Sequence, residues 1–271
     1  MSMLEETKNI LRKYRIFPKK HFGQHFMVYD SIFKRLAEYG ALTSDDIVLD
    51  VGAGLGFLTR FLAGQCRKVL AVEIDPKLVK VLRENLKFLP NVEIFEGDVL
   101  KLSIPQFNKV VSIPPYNISS DLLLWLSERE FTCGVLVFQQ EFAERIVAPV
   151  GSENYGWLTV LAYHQLEIEL LDQVPKWMFY PQPKVDSVIV RLRPKSSPPF
   201  PLKSKALFRQ LVQTLFTRRN RKVRNAIKPF LEKYSRTVKG GTWLVDSLPF
   251  HDRRVRDLAP EDFGELSNVL G

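Results

Sequence analysis

Between about residue 30 and residue 140, short β-rich apolar segments alternate with stretches of helical spacing, and this alternation constrains the fold more than any other feature. Candidate strands lie at Ile47–Val51, Val69–Ile74, Val92–Phe95, Lys109–Ile113 and Gly134–Phe138. Between the second and third, the segment Pro76–Phe88 sets Leu78, Val79, Leu82 and Leu86 at helical spacing. Strands joined through helices pair as parallel neighbours, with helices on both faces of the sheet. Two further β-rich segments, about Leu158–Leu171 and Val185–Leu192, suit an antiparallel addition at the edge. The expected fold class is α/β: a doubly wound, mostly parallel, seven-stranded sheet.

The segment Arg193–Ser204 is rich in proline and serine and reads as a linker. It divides a domain over 1–194 from a small helical domain over 203–271, in which Leu207, Leu211 and Leu215 line one helix face. Charge follows the same division. The chain carries a net +9, of which residues 201–271 contribute +8, and residues 201–256 hold 15 basic against 3 acidic side chains. A second basic cluster runs through Lys8, Arg12, Lys13, Arg15, Lys19 and Lys20. Clusters of this kind favour a polyanionic partner; a solvated helix face is the alternative. Other classes fall away. No apolar run reaches the roughly 20 residues of a membrane span, so no membrane association is expected. The N-terminal segment lacks a secretory apolar stretch, which makes the cytoplasm the expected location. Cys66 and Cys133 have no paired spacing and the four histidines are scattered, so neither a disulfide framework nor a metal site is expected.

The first strand runs into Asp50-Val51-Gly52-Ala53-Gly54-Leu55-Gly56. Glycines there permit a tight turn and close approach of a ligand at a helix N-terminus. The spacing is G-x-G-x-G, whereas the dinucleotide fingerprint of nicotinamide enzymes is G-x-G-x-x-G. Glu73, ending the second strand beside Ile74, can accept charge-assisted bonds from both hydroxyls of a ribose. Asp98, in Gly97-Asp98-Val99 after the third strand, can accept from an exocyclic amino group such as that of adenine. Three such features at three successive strand ends suit an adenosine nucleoside better than a dinucleotide.

The fourth strand leads into Ser112-Ile113-Pro114-Pro115-Tyr116. This loop resembles the acceptor loop of methyltransferases acting on exocyclic amino groups, and the chemistry accounts for the residue types. The lone pair of an adenine N6 is delocalised into the ring; acceptors that hold its two hydrogens make the nitrogen more tetrahedral and aim the lone pair outward. Prolines stiffen the loop and present carbonyls without competing N–H groups, and Tyr116 can stack on the base.

With these segments, the chain resembles the small-subunit rRNA adenine N6,N6-dimethyltransferase family over nearly its whole length. The matching stretches include Pro18-Lys19-Lys20-His21-Phe22-Gly23-Gln24-His25-Phe26, Gln140-Glu141-Phe142-Ala143-Glu144-Arg145, Tyr155-Gly156, Phe179-Tyr180-Pro181-Gln182-Pro183-Lys184-Val185-Asp186-Ser187, and the basic run from Phe216 to Asn225. The glycine loop is shared by many methyltransferases; the opening motif and P-x-P-K-V-D-S are much narrower. The resemblance implies a Rossmann-like methyltransferase fold and S-adenosylmethionine as cofactor, held by Gln24, His25, Phe26, Asp50, Gly52, Gly54, Gly56, Glu73, Ile74, Asp98, Val99 and Ser112. Residues 1–28 would cover cofactor and RNA. The acceptor machinery would be Ser112, Ile113, Pro114, Pro115 and Tyr116, with Phe179 packed against a flipped adenine; core packing is the alternative for Phe179. Lys19, Lys20, Arg218, Arg219, Arg221, Lys222 and Arg224 would contact rRNA in an immature small ribosomal subunit, and the protein would act as a monomer.

One position departs from the family, whose acceptor loop reads Asn-Leu-Pro-Tyr. Aligned on Pro115-Tyr116, Ile113 stands at the asparagine and cannot accept a hydrogen bond. Either backbone carbonyls around Ile113–Pro115 suffice, or the Ser112 hydroxyl supplies the missing acceptor, or catalysis is weakened. Three readings compete: dimethylation of small-subunit rRNA adenines, which these matches favour; methylation of large-subunit rRNA; and a non-catalytic assembly factor that binds immature small subunits.

Overall fold

The computed structural model describes residues 1–19, 23–235 and 245–271, which fold as two compact units. The first comprises Met1–Ala143 and Ile168–Pro194. Its strands are β1 (Phe26–Met27), β2 (Ile47–Val51), β3 (Lys68–Glu73), β4 (Val92–Glu96), β5 (Lys109–Ser112), β6 (Cys133–Gln139), β7 (Leu166–Val174), β8 (Phe179–Tyr180) and β9 (Ser187–Pro194). Seven of them form one sheet in the order β4-β3-β2-β5-β6-β9-β7. The pairs β2–β3, β3–β4, β2–β5 and β5–β6 are parallel, and β6–β9 is antiparallel. The expected mostly parallel seven-stranded sheet is therefore present. The short strands β1 and β8 make a separate antiparallel ribbon, with Phe26 opposite Tyr180 and Met27 opposite Phe179.

Helices α1 (Met3–Lys13), α2 (Ser31–Tyr39), α3 (Phe57–Ala63), α4 (Pro76–Leu86) and α5 (Ser119–Ser127) accompany the sheet. Local chemistry fixes their starts. Ser2 and Glu5 close a reciprocal capping box on α1. The Asp75 carboxylate caps the Lys77 amide of α4, whose first residue is proline. Val48, Leu49, Val69, Leu70, Val110, Val111, Val135 and Val137 are almost wholly buried, as strands covered on both faces must be.

The second unit comprises Glu144–Glu167 and Lys195–Gly271. Its helices include α7 (Trp157–Gln165), α8 (Lys205–Phe216), α9 (Val223–Ala226), α10 (Lys228–Ser235) and α11 (Pro260–Leu270), while α6 spans Gln140–Ile146. Leu207, Leu211 and Leu215 are buried along α8, as their spacing predicts. Two expectations are corrected here. The segment Leu158–Leu171 is not one strand: α7 occupies its first half and β7 the rest. Leu158, Val160, Leu161, Ala162 and His164 are all buried, and a helix covered on most sides has no periodicity to separate it from a buried strand. The second unit accordingly begins with residues 144–167, not at 203.

The proline-rich stretch after β9 is not a loose tether. Within the second unit, the Phe200 ring lies 4.7 Å from His164 and 5.8 Å from Phe208, and its carbonyl meets His164 Nε2 at 3.1 Å. Gly264 lets α11 pass over it, since a Cβ there would sit 2.4 Å from Phe200 Cδ2. No helix among the described residues is long and apolar enough to cross a membrane.

Candidate active site

The chain runs outward through β2, β3 and β4 on one side of the sheet, then returns to place β5 against the other side of β2. Ligands of open α/β sheets bind beyond the carboxyl ends of the strands at such a reversal. The glycine loop after β2 and the acceptor loop after β5 meet there. Gly52 has φ +75°, and a Cβ on it would lie 2.5 Å from Pro115 Cδ. Only glycine both adopts that backbone and leaves room for the proline.

Ser112 joins the two strands. Its hydroxyl accepts from the Val51 amide at 3.1 Å and donates to the Val51 carbonyl at 2.7 Å, in a wholly buried position. With donor and lone pair so engaged, it is a bridge under the loop. The sequence offers this hydroxyl as a replacement for the missing asparagine acceptor; its proton and one lone pair are committed to Val51. Ile113 packs half-buried against the main core and lines the hollow beside the glycine loop together with His25, Phe26 and Asp50. The Pro115 carbonyl accepts from Ile118 N at 3.2 Å.

Asp50 is the most unusual group in that hollow. One carboxylate oxygen accepts from Thr59 Oγ1 at 2.7 Å, while Oδ1 is buried without a partner. Burial pushes its pKa up to about 7 against the Thr59 bond, with the nearby Glu73 charge adding to the rise. Glu73, at the end of β3, takes the Gly54 amide on one oxygen and the Asp75 amide on the other, both at 2.9 Å. Burial raises its pKa, and these backbone bonds oppose the rise. The carboxylate thus shapes the glycine loop and still has acceptor capacity for a ligand.

A neighbouring hollow is lined by Ile74, Asp98, Val99, Pro115 and Ile118 among others. One Asp98 oxygen caps the Leu100 amide at 3.0 Å, and the other lies 3.6 Å from Lys101. A third hollow takes in Gln24, Glu73, Ile113 and Tyr116. Gln24 donates to Asp75 Oδ2 at 3.1 Å and accepts from the Lys19 amide at 2.8 Å. The Lys19 ammonium lies 2.9 Å from the same carboxylate oxygen. Burial raises the Asp75 pKa, but the bonds from Lys19, Gln24 and the Lys77 amide outweigh it and hold the carboxyl below its ordinary value. Asp75 is therefore the latch for the opening segment, a role that the sequence signals only as a helix cap before proline. Lys19 belongs to that latch; Lys20 lies outside the described residues.

Aromatic rings wall the acceptor side. Tyr116 is stacked on His25 at 5.9 Å and meets Phe179 edge-on at 6.3 Å. Its hydroxyl pairs with Ser187 Oγ at 2.7 Å, and burial pushes its pKa up to about 12, so the phenol stays neutral. His25 Nδ1 is 2.7 Å from the Pro181 carbonyl. Phe179 is 3% exposed and belongs to the main core, the alternative given for it, and its ring also meets Tyr116 on the acceptor wall.

The basic residues of the second unit divide by their contacts. Arg219 donates to the carbonyls of Glu153 and Ser152 at 2.6 and 2.8 Å. Lys222 pairs with Asp252 at 2.7 Å, and Arg224 lies 3.4 Å from Asp252 and 3.9 Å from Asp246. Arg218 and Arg221 are exposed. Among the described residues no group of His, Cys, Asp and Glu is arranged to hold a metal ion.

A parallel sheet carrying a glycine loop and an aromatic acceptor loop at its reversal point defines a Rossmann-like methyltransferase. Comparison with known proteins narrows this class. The family model for ribosomal RNA adenine dimethylase matches residues 17–247, and the chain belongs to that family. It is 39% identical over 266 residues to "Probable ribosomal RNA small subunit methyltransferase A" of Methanosarcina acetivorans, covering 97% of each chain. With the protein of the same description from Thermococcus kodakarensis it shares 38% identity over 271 residues, covering 99% of this chain and 95% of the other. Among solved structures it is similar to a dimethyladenosine transferase from Plasmodium falciparum, with TM-score 0.76 and 29% identity over 89% of this chain and 96% of that one. It also matches the 23S rRNA methyltransferase ErmE, with TM-score 0.64 and 30% identity over 89% and 98% of the two chains.

Proposed function

We propose that this protein transfers methyl groups from S-adenosylmethionine to N6 of adenines in small-subunit rRNA during ribosome assembly, dimethylating two adjacent residues. The observation that carries the reading is the unpartnered, buried Asp50 oxygen in a hollow bounded by the glycine loop and the acceptor loop. A buried carboxylate oxygen without a donor is strongly unfavourable, and the ammonium of an amino-acid moiety is a donor of the right charge. Glu73 has lone pairs for ribose hydroxyls, and Asp98 stands in a hollow lined by Ile74 and Val99 where a planar purine would be flanked by apolar side chains. These residues fit a nucleoside with an amino-acid tail. When bound, S-adenosylmethionine supplies an electrophilic methyl group on a sulfonium centre.

On the acceptor side, Tyr116 and Phe179 hold the flipped base by stacking and edge contact. With Ser112 committed to Val51 and the Pro115 carbonyl to Ile118, the carbonyls of Ile113 and Pro114 accept the two N6 hydrogens. Positioning does most of the work, and the displaced proton passes to solvent. The small-subunit relatives support that substrate over the large-subunit one.

The test incubates the protein with labelled S-adenosylmethionine and immature small subunits, then maps modified nucleotides. Dimethylated adenines are expected. Tight subunit binding without any methylated adenine would replace this reading with that of a non-catalytic assembly factor.

A further inference from the structure

Two large aromatic side chains beside the acceptor wall have no part in the site as described. Trp177 is 53% exposed and Tyr29 43% exposed, yet their rings meet edge-on at 4.9 Å and 84°. They extend the β1–β8 ribbon: the Val28 amide donates to the Met178 carbonyl at 2.9 Å, so the residues flanking that bond lie opposite one another. The same ribbon carries Phe26 and Phe179 to the pocket. One residue separates Trp177 from Phe179, so their Cα atoms are at most about 7 Å apart.

The charge around the pair suits a polyanion. Lys176, next to Trp177 in sequence, is exposed, and the Lys8 ammonium lies 5.3 Å over the Tyr180 ring of the same ribbon. Of the nearby acids, Asp172 is engaged by Arg35 and Tyr39, and Asp186 accepts from the Lys176 amide. Asp30 is exposed beside Tyr29. In an edge-to-face pair the two ring planes differ, so one face stays open to a third planar group.

Resting on the function proposed above, we infer that Trp177 and Tyr29 form a stacking platform for the nucleobase adjoining the target adenine. Flipping one base breaks its neighbour's stacking as well. An aromatic face beside the pocket replaces that lost stacking for any base, because every base has a π-face. The platform thereby selects an unpaired strand at the target and leaves sequence unread.

The test uses the full-length protein and short single-stranded oligoadenylate, compared with an oligonucleotide in which the nucleotides flanking one adenine are abasic. The W177A variant should bind oligoadenylate about tenfold more weakly or worse, and W177F should recover most of the loss. On the abasic strand wild type and W177A should be equal. The slope of affinity against salt should not change, since no phosphate contact is removed. S-adenosylmethionine affinity unchanged in W177A marks an intact first unit. A parallel assay on immature small subunits separates the two readings. If wild type methylates adenines there but binds both oligonucleotides equally, or W177A matches wild type on oligoadenylate, the platform is wrong and the enzyme stands. If wild type methylates no adenine, the proposed function fails and the platform falls with it.

Discussion

Asp50 and Ile113 face the same hollow and make opposite demands on it. Asp50 holds a proton up to about pH 7 because burial disfavours its charge. Its folded pKa is raised above the ordinary 3.8, so its contribution to stability falls as pH climbs from about 4 to about 7. An ammonium beside it favours the ionised form. Affinity for S-adenosylmethionine should therefore increase from about pH 6 to about pH 8, measured by calorimetry, and Asp50→Asn should flatten that dependence. An equally steep rise in the variant would remove Asp50 from the cofactor site. Ile113 bears on the rate. It occupies the family's asparagine position with an apolar side chain, leaving the N6 hydrogens to backbone carbonyls. Ile113→Asn restores a side-chain acceptor at similar volume, and the single-turnover methylation rate should increase on the order of tenfold. An unchanged rate would mean that the carbonyls of the proline loop already suffice.

Elements position these residues through contacts that are long-range in sequence. The opening segment is tied to the start of α4 by Gln24, Lys19 and Asp75. Gln24→Ala removes a buried donor and leaves part of the Asp75 charge unpaired, which costs about 1–3 kcal/mol. Cofactor dissociation should accelerate by on the order of tenfold in stopped-flow measurements, with the sheet intact; an unchanged rate would make the latch purely structural. The strands were legible because their apolar runs are short and bounded by glycine, proline or acidic residues. The glycine loop, Glu73 and Asp98 were legible because the turn after a parallel strand has few solutions. Asp75 was not, since an Asp-Pro pair announces a helix start whatever else the carboxylate holds. The Ser112 bridge was equally hidden: it depends on register between β2 and β5, which no local pattern encodes. Helix α7 is not legible because burial on most sides erases the periodicity that identifies a helix.

For the molecule as a whole, net charge is a poor guide until its partners are known. The basic run from Arg218 to Arg224 looks uniform in sequence, but its members hold different posts. Arg219 crosslinks the backbone of residues 152–153 within the second unit, and Lys222 and Arg224 face acidic side chains. Arg218 and Arg221 are exposed. The two kinds of arginine should separate experimentally. Reversing Arg218 and Arg221 to glutamate should lower affinity for small-subunit rRNA and reduce the slope of log affinity against log salt by about two, with the melting temperature unchanged. Arg219→Ala removes charge-assisted bonds to two carbonyls and should destabilise the second unit by about 1–3 kcal/mol, seen as a lower melting temperature at a nearly unchanged salt slope. If instead Arg219→Ala also reduced the salt slope, by about one, the Arg219 contacts would not hold that side chain in solution, and the whole run would act as one undivided phosphate-binding surface.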